Sequence, residues 1–349
     1  KTQLAQDMRA YFPDNSLFIL GRNDMDTREL FQQINLEKYR TAKSTADLKE
    51  LTSKINTNLI VVDELPNCVP AVRAQLFNLF DGFVEINGVT YPIGNGYSVG
   101  IATGNIGQKF TESSNELGRA LKDRMHVIID TDYFAPKPSD TLEILANNTN
   151  PRVDFDQTTN NKRDIIQEYK NLDSREIPLE KIIIANYLIH GLDYCSKGSK
   201  RKMKDAWPTQ LESHEQGSDV GLILPVSTRA AKSIIRLSES LDDVVREKNP
   251  EAELDLLDSM MQAFKFVSAY SGILNHSAVQ ANYDNDSYKA LNAVISTTKT
   301  QYNSQIKLIS AGIEEAFNGK ISSNILKEFI GRWEFIKDIL NSIATETKK

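Results

Sequence analysis

The spacing of hydrophobic residues in the first third of the chain predicts helices and strands in alternation. Leu4, Met8 and Phe12 recur at helical spacing, and Pro13 ends the predicted helix because proline cannot continue one. Residues 27–55 are polar and mostly helical in their spacing. The short apolar run between these two stretches predicts a strand.

Four short apolar runs predict the strands of a sheet. They consist mainly of aliphatic side chains, as strands covered on both faces require. The runs cover residues 16–21, 58–62, 97–102 and 126–129. Because helical stretches separate them, the pattern predicts an α/β fold with a parallel, doubly wound sheet.

A helix and a hairpin are expected between the second and third of these strands. Proline suits the first helical position, so the helix is expected to begin at Pro70 and to end near Gly82. Residues 84–86 and 89–91 alternate around Asn87-Gly88, the pair that a type I′ turn prefers. The hairpin is therefore expected to be tight.

The pattern changes after Asp132, where strand-like runs give way to helical ones. Pro136 and Pro138 mark a linker, and Ser227 is expected to cap a later helix. Residues 286–347 predict one or two further amphipathic helices. The predicted division is an α/β core over residues 1–135, a helical domain over 136–285 and a helical C-terminal extension over 286–349.

The charge balance narrows the classes of function. The 349 residues include 41 lysines and arginines against 47 aspartates and glutamates, a net charge of −6, which argues against a general nucleic-acid coat. No apolar run reaches the roughly 18 residues that a membrane helix needs, so no membrane span is expected. Cys68 and Cys195 are too few for a disulfide framework, so a reducing, cytoplasmic setting is expected.

Candidate chemistry begins at the end of the second strand, where Asp63 and Glu64 follow the apolar run 59–62. In open α/β sheets, ligands bind at the carboxyl ends of the strands. One acid can hold Mg²⁺, and the other can orient or deprotonate an attacking water. The alternative is a strand that simply enters an acidic loop in which both side chains are solvated.

Three further polar residues follow where they can serve the same chemistry. Asn105 comes just after the third strand and can position a water or contact a phosphate; the alternative is a turn asparagine beside Gly104. Arg124 can reach a phosphate across a subunit boundary; the alternative is a surface pair with Asp123. Arg229 lies in the first turn of a predicted helix, and its alternative is a solvated surface arginine.

This ordered set resembles the AAA+ ATPases, and within them the MoxR-like branch, over about residues 1–245. In that resemblance Asp63-Glu64 is the Walker B pair and Asn105 is sensor 1. Arg124 matches the arginine finger and Arg229 matches sensor 2. The predicted hairpin matches the one that this branch inserts before the sensor 1 strand. Arg119 is a second, weaker match to the finger.

The first residues resemble the end of a P-loop, Gly-x-x-x-x-Gly-Lys-Thr followed by its helix. In that resemblance Lys1 contacts the β- and γ-phosphates of ATP, and the Thr2 hydroxyl binds Mg²⁺. The alternative is an arbitrary helix that starts with Lys-Thr. The resemblance implies that the glycine loop and the first strand of a sheet ordered 5-1-4-3-2 are missing, so this fragment is expected to bind ATP poorly.

The resemblance implies an AAA+ P-loop core with an inserted hairpin, followed by an all-α lid. It implies Mg²⁺-dependent ATP hydrolysis by a homo-oligomeric ring, commonly a hexamer, that remodels a partner protein or complex. Glu64 then activates water, Asp63 and Thr2 manage Mg²⁺, and Asn105 aligns the nucleophile. Arg124 stabilises charge on the γ-phosphate across the subunit interface.

Two other classes of function stay open. One is a scaffold that binds nucleotide and assembles without useful turnover. The other is a DNA-directed motor, which the acidic net charge disfavours and the basic run 197–204 favours. The C-terminal helices lie outside the resemblance, and the client protein is not indicated.

Overall fold

The computed structural model describes residues 1–22, 24, 30–41, 43–44, 49–86, 88–105, 118–146, 161–195, 200–201 and 219–347. Contacts divide the chain into two compact units. The sheet unit comprises residues 1–117 and 131–173, and the helical unit comprises residues 118–130 and 174–349. The predicted division at residues 135 and 285 stays a prediction.

The elements are numbered along the described residues. The strands are β1 (Ser16–Leu20), β2 (Gln32–Ile34), β3 (Lys49–Leu51), β4 (Leu59–Asp63), β5 (Phe83–Ile86), β6 (Val89–Pro92), β7 (Val99–Ala102), β8 (Tyr194–Cys195) and β9 (Lys200–Arg201). The helices are α1 (Thr2–Met8), α2 (Pro70–Phe80), α3 (Arg119–Lys122), α4 (Pro138–Ala146), α5 (Lys162–Ser174), α6 (Leu179–Asn186), α7 (Asp219–Leu222), α8 (Thr228–Lys248), α9 (Leu256–Ser268), α10 (His276–Tyr283), α11 (Ser287–Phe317), α12 (Ser323–Glu328) and α13 (Phe335–Glu346).

A parallel three-stranded sheet in the order β1-β4-β7 forms the centre of the sheet unit. Its middle strand, β4, is buried along its whole length, as its continuous apolar run predicts. Ala5 and Phe12 pack on Leu59 and Val61. Because β4 and β7 pair in parallel, their carboxyl ends lie side by side at one edge of the sheet.

The predicted helix and hairpin between β4 and β7 are confirmed. Helix α2 begins at Pro70, and β5 pairs antiparallel with β6. Gly88 adopts a positive φ of 77°, which suits a tight turn, while Asn87 lies outside the described residues. The Phe80 ring at the end of α2 lies against Gly100 of β7, where a Cβ atom would approach within 2.0 Å of the ring.

The described residues of 27–55 include two strands, which corrects part of the expectation from their spacing. Strands β2 and β3 pair antiparallel, and short 3₁₀ turns span Leu36–Arg40 and Ser53–Asn56. Gln33 and Asn35 both donate side-chain hydrogen bonds to Glu50, at 2.8 and 2.7 Å. Polar side chains suit the surface of a two-stranded ribbon as well as that of a helix, so their spacing could not distinguish the two.

Residues 126–129 do not form the predicted last strand. The segment has no regular secondary structure, and Val127 and Ile129 are 37% and 58% exposed. In the sheet order that the resemblance implies, this segment would pair with the first strand, and no such strand is among the described residues. An apolar run becomes a strand only when a neighbour accepts its hydrogen bonds.

The helical unit is built mainly from long helices with a shared hydrophobic core. Ser227 caps α8 as predicted, because its hydroxyl accepts a hydrogen bond from the Ala230 amide at 3.0 Å. The stretch 140–285 also contains the two-residue strands β8 and β9, which the sequence did not predict. After residue 286 the described chain forms three helices, α11 to α13, where one or two were expected.

One hydrophobic core of the helical unit runs across residue 285. It contains Ile184 of α6, Ile234 of α8, Phe264 of α9, Leu291 of α11 and Ile336 of α13, all at most 1% exposed. The C-terminal helices therefore pack on the helices that precede them. Across the described parts of the chain, no helix is both long and apolar enough to span a membrane.

Candidate functional site

The candidate site lies where β4 ends. Asp63 is the last residue of the strand and is only 8% exposed. Glu64 follows in a left-handed conformation, with φ 56° and ψ 43°, and so turns the chain directly out of the strand. The side-chain nitrogen of Asn67, Nδ2, lies 3.5 Å from Glu64 Oε2, to which it donates. The two adjacent acids therefore differ in environment, one buried in the sheet and the other at a sharp turn.

Thr103, directly after β7, holds both acids in place. Its hydroxyl donates a hydrogen bond to Asp63 Oδ1 and lies 3.4 Å from the Glu64 amide, which donates to it. Its carbonyl accepts from the Leu65 amide at 3.0 Å. No role was predicted for Thr103. Its position follows from the strand register, because Val62 is opposite Ala102 and the residues that come next are Asp63 and Thr103.

The beginning of the chain reaches the same edge of the sheet. The Thr2 hydroxyl donates to Asp63 Oδ1 at 3.0 Å. The Lys1 ammonium donates to the Gly104 carbonyl at 3.1 Å and to the Asn105 side-chain oxygen. The structure therefore brings five of the predicted site residues together in the sheet unit, namely Lys1, Thr2, Asp63, Glu64 and Asn105.

Close backbone approach shapes this edge. A Cβ atom on Gly104 would lie 2.3 Å from Pro66 Cδ, and one on Gly21 would lie 2.5 Å from the Glu64 carbonyl oxygen. The Gly21 amide also donates to the Asp63 carbonyl at 2.7 Å. Glycine at both positions lets the loops after β1 and β7 close on the turn that carries the acids.

The donor atoms of this site suit Mg²⁺ bound together with phosphates. Thr2 and Asp63 offer a hydroxyl and a carboxylate, which are hard oxygen ligands. Within the described residues, no group of three or more His, Cys, Asp or Glu side chains could hold a metal by itself. In phosphate sites Mg²⁺ takes one or two protein oxygens, and the substrate and waters supply the rest. Lys1 supplies the positive charge that a polyphosphate needs.

The predicted arginines belong to the helical unit. Arg229, in the first turn of α8, has Nη1 3.4 Å from Asp123 Oδ2. Asp123 also accepts the Ser227 hydroxyl at 2.6 Å. Arg124 follows Asp123, and its amide donates to the Leu121 carbonyl at 3.1 Å. Asp123 thus forms an ion pair with Arg229, the predicted sensor residue.

Arg119, the weaker match to the finger, is anchored inside the helical unit. Its Nη2 donates to the Pro225 carbonyl at 2.6 Å. Burial lowers the pKa of the Arg119 guanidinium, and the charge of Asp123 opposes that shift. A guanidinium held in this way suits a structural contact.

Two residues of the basic run 197–204 are among the described residues. Lys200 and Arg201 form β9, and the remaining residues of the run lie outside the described residues. The roles predicted for the site residues likewise stay predictions, although their positions at the sheet edge and at the start of α8 are now defined.

Comparison with known proteins identifies the fold. Residues 1–125 match the family model for the AAA domain, dynein-related subfamily. A crystal structure of a proposed ATPase from Cytophaga hutchinsonii ATCC 33406 matches with a TM-score of 0.54 and 17% identity, over 84% of this chain and 81% of that one. No curated protein matches the chain. The MoxR-like branch stays a prediction.

The match to the AAA domain covers Asp63, Glu64, Asn105 and Arg124. The observed order β1-β4-β7 agrees with the 4-3-2 part of the expected sheet. The chain therefore has an AAA+ P-loop fold, with a parallel sheet core and a mostly helical remainder.

Proposed function

We propose that this protein hydrolyses ATP in a Mg²⁺-dependent reaction and works as a MoxR-like ring that remodels a partner protein. The observation that carries the proposal is the contact of Lys1 and Thr2 with Asn105 and Asp63. Thr2 and Asp63 are 61 positions apart in sequence, and Lys1 and Asn105 are 104 positions apart. All four side chains meet at the carboxyl edge of the sheet, and each is of a type that phosphoryl transfer requires.

Each residue of the sheet edge has a distinct proposed task. Lys1 binds the β- and γ-phosphates, and Asn105, which contacts Lys1, aligns the attacking water. Thr2 and Asp63 hold Mg²⁺, which neutralises charge on the phosphates when it is bound. Glu64 accepts a proton from the water as the oxygen attacks the γ-phosphorus and the bond to the β,γ-bridging oxygen breaks.

The arginines of the helical unit provide the reason to propose a ring. A finger arginine stabilises the negative charge that develops on the γ-phosphate, and Arg124 is proposed to do so for a neighbouring subunit. Arg229 is proposed to sense the nucleotide. Work on a client protein then comes from the change in subunit contacts during the cycle.

Steady-state ATP turnover of the full-length protein, measured across protein concentration, tests the proposal. Glu64→Gln should lower kcat by orders of magnitude and leave nucleotide binding intact, because it removes the base and keeps the shape. Arg124→Ala should lower kcat by about 10³-fold. Glu85→Gln, in the exposed part of the hairpin, is the matched control and should turn over normally.

Turnover per subunit that rises with concentration and is lost in both variants would support a shared-site ring ATPase. Nucleotide binding without turnover would contradict the proposal and favour the scaffold. Turnover that requires DNA would favour the DNA-directed motor instead.

A further inference from the structure

Asp123 links two parts of the helical unit that are 104 residues apart in sequence. One of its carboxylate oxygens accepts the Ser227 hydroxyl at 2.6 Å, and the other lies 3.4 Å from Arg229 Nη1. The Asp123 side chain is 21% exposed, whereas that of Arg229 is 51% exposed. The less exposed carboxylate therefore anchors the more exposed guanidinium.

Ser227 extends this link to the backbone of α8. Its hydroxyl accepts a hydrogen bond from the Ala230 amide at 3.0 Å while it donates to Asp123. The carboxylate thus lies at the positive end of a 21-residue helix, where a negative charge is favourable. The position of Asp123 is therefore tied to the first turn of α8, and that turn carries Arg229.

A second anchor fixes the other end of α3. Arg119 Nη2 donates to the Pro225 carbonyl at 2.6 Å. Gly272, at φ 86°, approaches the same side chain so closely that a Cβ atom would lie 3.0 Å from Arg119 Cγ. With Asp123 at its carboxyl end, α3 is held at both ends against residues 225–229.

We propose that Asp123 is a positioning residue. It fixes the backbone of residues 123–124 and the Arg229 side chain relative to each other. This inference rests on the roles proposed above for the two arginines. An arginine with a half-exposed side chain has many rotamers, and an ion pair at its guanidinium selects among them before nucleotide binds. Arg124 is the next residue after Asp123, so the contacts that fix Asp123 also fix the backbone from which the Arg124 side chain extends. Asp123 itself does not touch the nucleotide.

Asp123→Asn tests the inference, because it keeps an acceptor for Ser227 and removes the charge that faces Arg229. The expected result is a kcat for ATP lowered by about tenfold to hundredfold with nucleotide Kd nearly unchanged, since misplaced groups impair the chemical step. Glu247→Gln removes one exposed negative charge from the same helix and should leave kcat unchanged. In an Arg229→Ala background, Asp123→Asn should cost much less than in the wild type.

Hydrogen exchange gives a second readout that needs no turnover. Asp123→Asn should increase exchange in residues 118–125 and 227–232 together, whereas Glu247→Gln should change neither. If Asp123→Asn does not fold, Arg229→Gln removes the same ion pair by changing its more exposed partner. This variant should increase hydrogen exchange in residues 118–125.

Three results would overturn the inference. They are a wild-type kcat in Asp123→Asn, an equal loss with and without Arg229, and unchanged exchange in both segments. A wild-type protein that hydrolyses no ATP would contradict the proposed function. Hydrogen exchange in residues 118–125 and 227–232 would then test by itself whether Asp123 joins the two segments.

Discussion

At the residue scale, Thr103 shows how one uncharged side chain can organise two acids. Its hydroxyl donates to Asp63 and accepts from the Glu64 amide, and its own amide donates to the Val62 carbonyl at 2.9 Å. The sheet places it there because Ala102, the residue before it, is in register with Val62. Asp63 Oδ1 thus accepts hydrogen bonds from the hydroxyls of both Thr2 and Thr103.

Two substitutions of Thr103 distinguish the effect of its hydroxyl from the effect of its side-chain volume. Thr103→Val keeps the volume but leaves Asp63 without one donor, so we expect unfolding free energy to fall by about 1–3 kcal/mol. ATP turnover should fall as well, because the turn that carries Glu64 loses a support. Thr103→Ser keeps the hydroxyl and should retain most of both. Denaturant unfolding and steady-state turnover measure the two effects, and equal losses in Val and Ser would contradict this role of the hydroxyl.

At the element scale, a buried ion pair joins α6 to α8. Lys181 Nζ lies 3.1 Å from Asp242 Oδ2 and donates to the Ser238 hydroxyl at 3.1 Å. The Lys181 and Asp242 side chains are 4% and 9% exposed. The Ser259 hydroxyl of α9 donates to the other oxygen of Asp242. Three helices thus share one buried polar contact.

Removing one partner of that pair leaves a buried charge. Lys181→Met should lower the unfolding free energy by about 3–5 kcal/mol because Asp242 loses its compensating cation. Lys289, whose pair with Asp284 is largely exposed, is the control, and Lys289→Met should cost at most about 1 kcal/mol. Adding Asp242→Leu to Lys181→Met should recover part of the loss. Chemical denaturation measures the unfolding free energy of each variant. Similar losses in Lys181→Met and Lys289→Met would contradict a larger contribution of the buried pair to stability.

Elements with a local signal were predicted from the sequence, and elements that depend on a distant partner were not. The apolar run of β4 and the start of α2 at Pro70 are both local, and both are confirmed. Residues 126–129 have the composition of a strand, yet they pair with no strand among the described residues. The pairing of β2 with β3 likewise depends on a contact that the polar spacing does not reveal.

At the scale of the whole molecule, the C-terminal helices are part of the core of the helical unit. Trp333 is 7% exposed, and its ring lies 4.7 Å from the Tyr187 ring and 6.2 Å from the Tyr302 ring, centroid to centroid. Arg332 donates to the Tyr187 hydroxyl at 3.3 Å. Residue 187 begins a single π-helical turn, so the end of the chain packs on the point where α6 changes its winding.

Trp333→Ala should therefore destabilise helices far from it in sequence. The cavity left among aromatic rings should cost about 3–5 kcal/mol of unfolding free energy. Hydrogen exchange should increase in the π-helical turn Tyr187–Gly191 and in α11, because Tyr187 and Tyr302 contact the Trp333 ring. Phe317→Ala is the control, because that ring is 57% exposed, and it should change little. Increased exchange confined to residues 331–346 would contradict this view of a shared core.

The candidate site shows the same limit on prediction at this scale. Asp63, Glu64 and Asn105 follow strands, so the sequence could place them at one edge of a sheet. That Asp123 would meet Ser227 and Arg229 could not be read from spacing, since the contact spans more than 100 residues without a shared strand register. The resemblance to a known family indicated which residues belong to the candidate site. Which of them contact each other depends on how distant segments pack.

The left-handed backbone of Glu64 has a consequence for any effort to stabilise this protein. For most residues with a Cβ atom, that conformation costs about 1–2 kcal/mol, whereas glycine lacks the Cβ atom and asparagine adopts the conformation more readily than most. A library screened for heat resistance alone would favour those two residues at position 64. The same screen would discard the carboxylate on which the proposed hydrolysis depends. An evolved thermostable variant should therefore be sequenced at this codon before its loss of activity is blamed on rigidity.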